Sequence, residues 1–471
     1  MKIQQIYTNC LAHAAYYVES NGETAIFDPL REVAPYLEIA ASNNAQIRYV
    51  FETHFHADFV SGHLDLQLKT GAQIVYGPTA APYFNAITAT DGQVFKLGNA
   101  IIKVIHTPGH TLESTCFLLI DEHGKEQGLI TGDTLFIGDV GRPDLAQHVQ
   151  DDLTQEKLAG MLYDSLREKI MPLSDDLMIY PNHGAGSACG KKMSEQRTDT
   201  LGNQKKHNYA LRADMTKEEF IKEVLTGLAP PPAYFPQNVM LNMQGYAHLH
   251  KIMETALVEL EVRDFLITAI KNKAVILDTR SASDYAVAAI PGSVNVGLDG
   301  AFASWVGTVI PKVDTPLVLV CDDGTQEEAV TRLARVGFEH CLGILKGGIE
   351  SWINADRPLR KTSRINADEF IDELRKQGIT LLDVRKTSEF ESQHIPGAIH
   401  MPLNQLQDDA VTLDPAGHYL LYCVGGYRSM IAASILKNHK IKSVEDVIGG
   451  INALKNENIP LTDFVEPTTL L

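Results

Sequence analysis

The sequence predicts a multidomain α/β protein, and three observations carry that expectation. At 471 residues the chain is longer than one hydrophobic core usually organises. Its second half contains a tandem repeat of alternating strand-like and helix-like segments. Its first half strings together β-rich runs, several of which end in His or Asp.

The repeat sets the domain plan. "VILDTRSASDYAVAAIPGSVNV" (275–296) matches "TLLDVRKTSEFESQHIPGAIHM" (380–401), so Asp278 and Arg280 correspond to Asp383 and Arg385. Further on, "LVCDDGTQ" matches "LYCVGGYR". Cys321 and Cys423 are therefore equivalent, each 26 residues before a Gly-Gly pair, Gly347-Gly348 and Gly449-Gly450. "AVILD", "LVLVC" and "CLGIL" read as strands, and "TQEEAVTRLARVGF" as a helix with Gly near its end. Two α/β domains with parallel central sheets follow, at 256–361 and 362–471. Residues 1–255 form the first domain. Near its end, "GLAPPPAYFPQN" (227–238) is a proline-rich break, and "MLNMQGYAHLHKIMETAL" after it reads as one helix.

Composition narrows the function classes. The net charge is −18, from 59 acidic against 41 basic residues, which disfavours binding to nucleic acid or anionic membrane. No segment approaches ~18 apolar residues in a row, and "MKIQQIYTNCLAHAAYYVES" lacks an apolar signal core, so a soluble cytoplasmic protein is expected. Six cysteines are too few for a disulfide scaffold, and each is either apolar filler or a reactive thiol.

The first-half runs "IRYVFETH", "AIIKVIHTPGH", "GLITGDTLF" and "LMIYPNHG" place His54, His56, Asp58, His110, Asp133 and His183 just after strand-like segments. Imidazole and carboxylate on loops along one sheet edge suit a transition metal. The motif "THFHADF" (53–59) is similar to the T-H-x-H-x-D-H signature of the metallo-β-lactamase superfamily, with Phe59 in place of the last histidine. That resemblance implies an αββα sandwich. Phenylalanine cannot ligate, so a second cation is disfavoured. "TGDTLFIGDVGRPDL" (131–145) resembles the persulfide dioxygenase branch of that superfamily. By that resemblance one Fe(II) per chain is held by His54, His110 and Asp133. His56, Asp58 and His183 become outer groups that orient ligands or water. Arg142 either holds a substrate carboxylate or forms a salt bridge within its loop.

"CVGGYRS" (423–429) resembles the persulfide-carrying loop of rhodanese domains. The resemblance implies a sulfur-carrying Cys423, with Arg428 closing the ring and stabilising thiolate. The other copy, "CDDGTQEE", has Gln326 where the arginine stands and adds Asp322, Asp323, Glu327 and Glu328. Those carboxylates raise a thiol pKa and repel anionic sulfur, so a degenerate copy is expected. Cys189, in "NHGAGSACGKK", is either buried filler or a sulfur relay, with Lys191 and Lys192 favouring thiolate. Cys10, Cys116 and Cys341 read as core.

The combined resemblance is to persulfide dioxygenase–rhodanese fusions. It implies oxidation of a thiol persulfide (glutathione, coenzyme A or similar) by O2 to sulfite, then sulfur transfer through Cys423 to give thiosulfate, in a homo-oligomer. Three other readings stay open: a glyoxalase II-like zinc thioester hydrolase fused to a rhodanese, a sulfurtransferase with an idle metal domain, and a sulfur-sensing scaffold without catalysis.

Overall fold

The computed structural model describes residues 1–146, 153–376 and 378–467. The last four residues of the expected third domain lie outside them. Two compact units are present, one of residues 1–249 with 335–337, the other of 250–334 and 338 onward.

In the first unit two six-stranded sheets face each other. The first runs in chain order through Lys2–Thr8, His13–Ser20, Glu23–Phe27, Gln46–Glu52, Gln73–Tyr76 and Ile87–Thr88. The second is an antiparallel meander of Val94–Leu97, Ala100–His106, Thr115–Ile120 and Glu126–Gly132, extended by Met178–Pro181 in parallel and by Asp199–Thr200. Period-two side chains build the layers. Ala14, Tyr16 and Val18 point between the sheets with Phe27, Phe51, Phe117 and Ile130. Their neighbours Ala15 and Tyr17 point outward, into a cluster that holds Tyr36 and Leu66 from helices Ala34–Ser42 and His63–Thr70. On the far side Leu118, Leu129 and Ile179 meet Leu162 and Phe220 from helices Gln155–Ser165 and Lys217–Leu225. The result is the expected αββα sandwich. Both faces of its central strands are apolar, which is why those runs were readable.

The single helix expected after the proline-rich break is two helices, Phe235–Gln244 and Leu249–Ala256. Gly245 separates them at φ 96°, ψ 165°, a conformation essentially closed to residues with a Cβ.

The second unit contains two five-stranded sheets with parallel pairing throughout. Their spatial orders are identical: Glu259–Leu260, Cys341–Leu345, Leu317–Val320, Val275–Asp278, Val294–Asn295 in one, and Ser363–Ile365, Ser443–Val447, His418–Tyr422, Ile379–Asp383, Ile399–His400 in the other. The repeated Asp-x-Arg motif is a structural clamp in both. Arg280 donates to Asp278 at 2.6 and 3.0 Å and to the Ala288 carbonyl at 2.7 Å. Arg385 repeats this with Asp383 and the Gln393 carbonyl. Among the described residues no helix is long and apolar enough to cross a membrane.

Gly245→Ala tests the helix break. It should lower the unfolding free energy by about 1–3 kcal/mol, read from urea denaturation of the chain.

Candidate functional site

The strand ends deliver the side chains. His54 lies two residues beyond Gln46–Glu52, Asp133 follows directly on Glu126–Gly132, and His110 is four residues past Ala100–His106. These three offer ligand atoms all within 4.8 Å of one another, and all three are buried. His110 Nε2 is 3.4 Å and His54 Nε2 3.9 Å from Asp133 Oδ2, with the two rings nearly perpendicular.

Hydrogen bonding fixes which nitrogen of each ring is free. The His110 Nδ1–H donates to the Arg142 carbonyl at 2.8 Å, leaving the Nε2 lone pair toward Asp133. The Thr53 hydroxyl donates to Asp28 Oδ1, so it accepts from the His54 Nδ1–H at 2.9 Å and frees that Nε2 too. Burial, then the neighbouring imidazoles of His56 and His110, hold His54 well below the usual histidine range, so it is neutral. Neither oxygen of Asp133 has a hydrogen-bond partner. A buried carboxylate left unpaired is costly, and a cation would satisfy it. The donor set therefore fits a metal ion. Gly141, in the "GDVGRPD" run, makes the packing possible: a Cβ there would stand 2.0 Å from the Asp133 carbonyl and 2.9 Å from His110 Nδ1.

His56 packs its ring 4.2 Å from that of His54, centroid to centroid, but commits its Nε2 to other carboxylates. Its Nε2 meets Asp28 Oδ1 at 2.9 Å and Glu52 Oε2 at 3.3 Å. Burial opposes its charge, but Asp28 and then Glu52 outweigh that and hold it well above the usual histidine range. The Phe59 ring stacks on His56 and lies 4.2 Å from the ring of His13, centroid to centroid. Asp58, His183 and Cys189 form a separate buried group of candidate ligands. His183 Nε2 is 3.4 Å from Asp58 Oδ2 and 3.6 Å from Asp133 Oδ1, so Asp133 stands between the two groups.

The structure resolves or changes several sequence expectations. Arg142 is buried and donates to both oxygens of Asp144 at 2.7 Å and to the carbonyls of Ala229 and Ala188, which is the loop salt bridge and not an open cradle for a substrate carboxylate. Lys191 does not favour a Cys189 thiolate, because its ammonium is drawn to the carbonyls of Glu223 and Thr226. Burial, then Asp58 and Asp133, push that thiol well above its usual range. Cys10 is half-buried, whereas Cys116 and Cys341 are core as expected.

In the second unit Cys423 ends strand His418–Tyr422 and precedes helix Tyr427–Asn438. The Gly426 N–H donates to its Sγ at 3.1 Å, and the Ser429 hydroxyl lies 3.4 Å away. A thiolate or persulfide there faces a backbone donor and a helix N-terminus. Arg428 makes no hydrogen bond to the sulfur, and its charge acts on Cys423 through space. Its guanidinium makes a two-pronged pair with Glu389 at 2.6 and 2.9 Å and lies 5.8 Å over the Trp305 ring of the other copy. Around Cys321 burial, more than the acidic loop, pushes the thiol up to about 12; Cys341, Asp278 and Asp322 add to it, whereas Asp323, Glu327 and Glu328 are not among its causes.

A family model described as the metallo-beta-lactamase superfamily matches residues 8–181, and one described as a rhodanese-like domain matches 263–355 and 366–457. A hydroxyacylglutathione hydrolase of Pseudoalteromonas translucida is 30% identical over 210 residues, 42% of this chain and 79% of that protein. The chain belongs to the metallo-beta-lactamase superfamily. Another hydroxyacylglutathione hydrolase, from Rhizobium etli, is 34% identical over 166 residues, 34% of this chain and 57% of its own length. Among solved structures, a metallo-beta-lactamase from Staphylococcus aureus subsp. aureus COL aligns with TM-score 0.64 and 29% identity, over 73% of this chain and 98% of that one. The architecture is thus a metallo-beta-lactamase domain followed by two rhodanese domains.

Several groups of the metallo-beta-lactamase domain escaped sequence reading. Thr53 and Asp28 set the His54 tautomer, and Glu113 Oε1 accepts the Phe55 N–H at 3.0 Å. Asp28 also ends a strand-like run, "TAIFDP", which was its one available signal. In the rhodanese domain Glu389 had a signal as the third residue of a helix first turn. Its bond to the Lys386 N–H is a capping contact, but its pairing with Arg428 was not readable.

Gly141→Ala should displace the His110 ring and weaken metal binding about tenfold or more, measured by titrating apoprotein with Fe(II) or Co(II).

Proposed function

We propose that the chain oxidises a low-molecular-weight thiol persulfide with O2 and passes sulfane sulfur through Cys423. The observation that carries this reading is the His54–His110–Asp133 donor set, with two imidazole Nε2 atoms turned inward and one unpaired carboxylate. Such a set leaves coordination positions open on Fe(II), and Phe59 stands where a two-metal site takes a histidine. Iron held there would supply the O2 chemistry.

The chain's own residues do the rest. Thr53 and the Arg142 carbonyl keep both Nε2 lone pairs turned inward. The balance is RSSH + O2 + H2O giving RSH, sulfite and two protons. At Cys423 the Gly426 N–H and the helix N-terminus hold sulfur anion. Sulfite attacks the outer sulfur of a Cys423 persulfide, the S–S bond breaks with its electron pair going to Cys423, and thiosulfate leaves. Joining both activities in one chain raises the effective concentration of the shared sulfur species. Glutathione and coenzyme A persulfides both suit the reading, and a homo-oligomer in the cytoplasm is its expected setting.

A second reading has specific support. Curated relatives are named hydroxyacylglutathione hydrolase, and Asp58, His183 and Cys189 offer a second donor group beside Asp133. Two zinc ions and thioester hydrolysis would follow from it.

Anaerobic purification with metal counting decides between them. The expected outcome is one iron per chain, O2 uptake with glutathione persulfide, and sulfite as product. Two zincs with cleavage of a glutathione thioester and no O2 uptake would overturn the proposal. Cys423→Ser should abolish thiosulfate formation and leave O2 uptake intact, whereas His110→Ala should remove the iron and the O2 uptake together.

A further inference from the structure

The loop that carries His54, His56 and Asp58 is closed by a residue far from it in sequence. Asn242 lies on helix Phe235–Gln244, well beyond the residues the superfamily model matches. It is 1% exposed, and its amide spends every strong capacity on this one loop. Nδ2 donates to the His56 carbonyl and to the Phe59 carbonyl, each at 2.8 Å. Oδ1 accepts the Ser61 N–H at 2.9 Å.

The first half of the loop is anchored separately, through Thr53 N–H to Asp28 at 2.7 Å and Phe55 N–H to Glu113. The second half, His56 to Ser61, takes these three bonds from Asn242, beside the Val60 N–H to the Arg335 carbonyl at 2.7 Å and the Ser61 hydroxyl to the Pro29 carbonyl at 2.9 Å. Asp58 lies between the two carbonyls that Asn242 holds, and Phe59 carries one of them. The staple thus brackets the backbone of the two residues that meet His183, His13 and His56. An apolar replacement would leave two carbonyls and one N–H buried without partners, which native structures avoid.

We infer that Asn242 is a positioning residue for the metal centre. It acts through the backbone of the ligand loop, and it touches none of His54, His110 or Asp133. The inference rests on the reading of those three as a metal site, but not on which metal or reaction occupies it.

The test is Co(II) titration of full-length apoprotein, reading affinity and the visible ligand-field spectrum. Asn242→Leu removes all three bonds at similar volume. Asn242→Asp keeps the acceptor for Ser61 and turns carboxylate oxygen toward the two carbonyls. Both should weaken Co(II) binding about 10- to 100-fold and shift the spectrum. Asn242→Gln, which retains an amide, should recover part of each change. Met240→Ala, on an exposed position of the same helix, should change neither. Should the leucine variant fail to fold, the aspartate variant decides. Wild-type affinity and spectrum in Asn242→Asp would overturn the inference. So would a loss that glutamine does not ease, or one that Met240→Ala reproduces. Failure of the proposed function would appear elsewhere, as zinc content and absent O2 uptake, with the cobalt result unaffected.

Discussion

The carboxylate of Asp28 is the constraint on which the first domain depends. It sits one residue past Glu23–Phe27, fully buried, at φ 48°. A buried carboxylate must be met by donors, and these come from the neighbouring strand end: the Thr53 N–H, the Thr53 hydroxyl and His56 Nε2. Asn182, beyond Met178–Pro181 in the other sheet, donates to the same Thr53 hydroxyl at 3.1 Å. One oxygen thus references strand ends from both sheets to a common point. The ring of His54 takes its orientation from that point. Removing Asp28 would strand a charged His56 against Glu52 alone, a loss on the order of 3–5 kcal/mol by analogy with broken buried pairs.

How much of this was legible follows from range in the sequence. The αββα layers and the parallel sheets were readable because their central strands are apolar on both faces and the repeat copies its own landmarks. The edge strand Lys2–Thr8 was not, since "KIQQIYT" mixes polar residues into a half-exposed strand. The six candidate ligands were readable because each follows a recognisable strand, and the family resemblance singled out His54, His110 and Asp133, which the fold brings together. Charge environments were not. Lys191 is two residues from Cys189 yet turns to other carbonyls, while Asp58 and Asp133 arrive from far along the chain to set the field. Arg428 was placed on the sulfur by its loop and on Glu389 by the fold.

The two rhodanese domains separate scaffold from reactivity. Both keep the same strand order and the same Asp–Arg clamp, and both keep a cysteine at the same strand end. Only the loop differs. In one copy a glycine N–H meets the sulfur. In the other burial and carboxylates raise the thiol out of the range where thiolate forms. The clamp holds backbone and is indifferent to what the loop carries, so it outlasts the chemistry.

The Asn242 staple bears on how this protein can be taken apart. A fragment trimmed to the region that sequence similarity recognises would hold His54, His110 and Asp133 in full. It would nonetheless lack the amide that closes the loop carrying His54. The module that can be exchanged or transplanted is therefore longer than the stretch the superfamily model matches. Its edge falls beyond the helix at Phe235–Gln244, since past Gly245 the Tyr246 hydroxyl still accepts the Leu64 N–H and the Leu249 N–H is still held by Asp65.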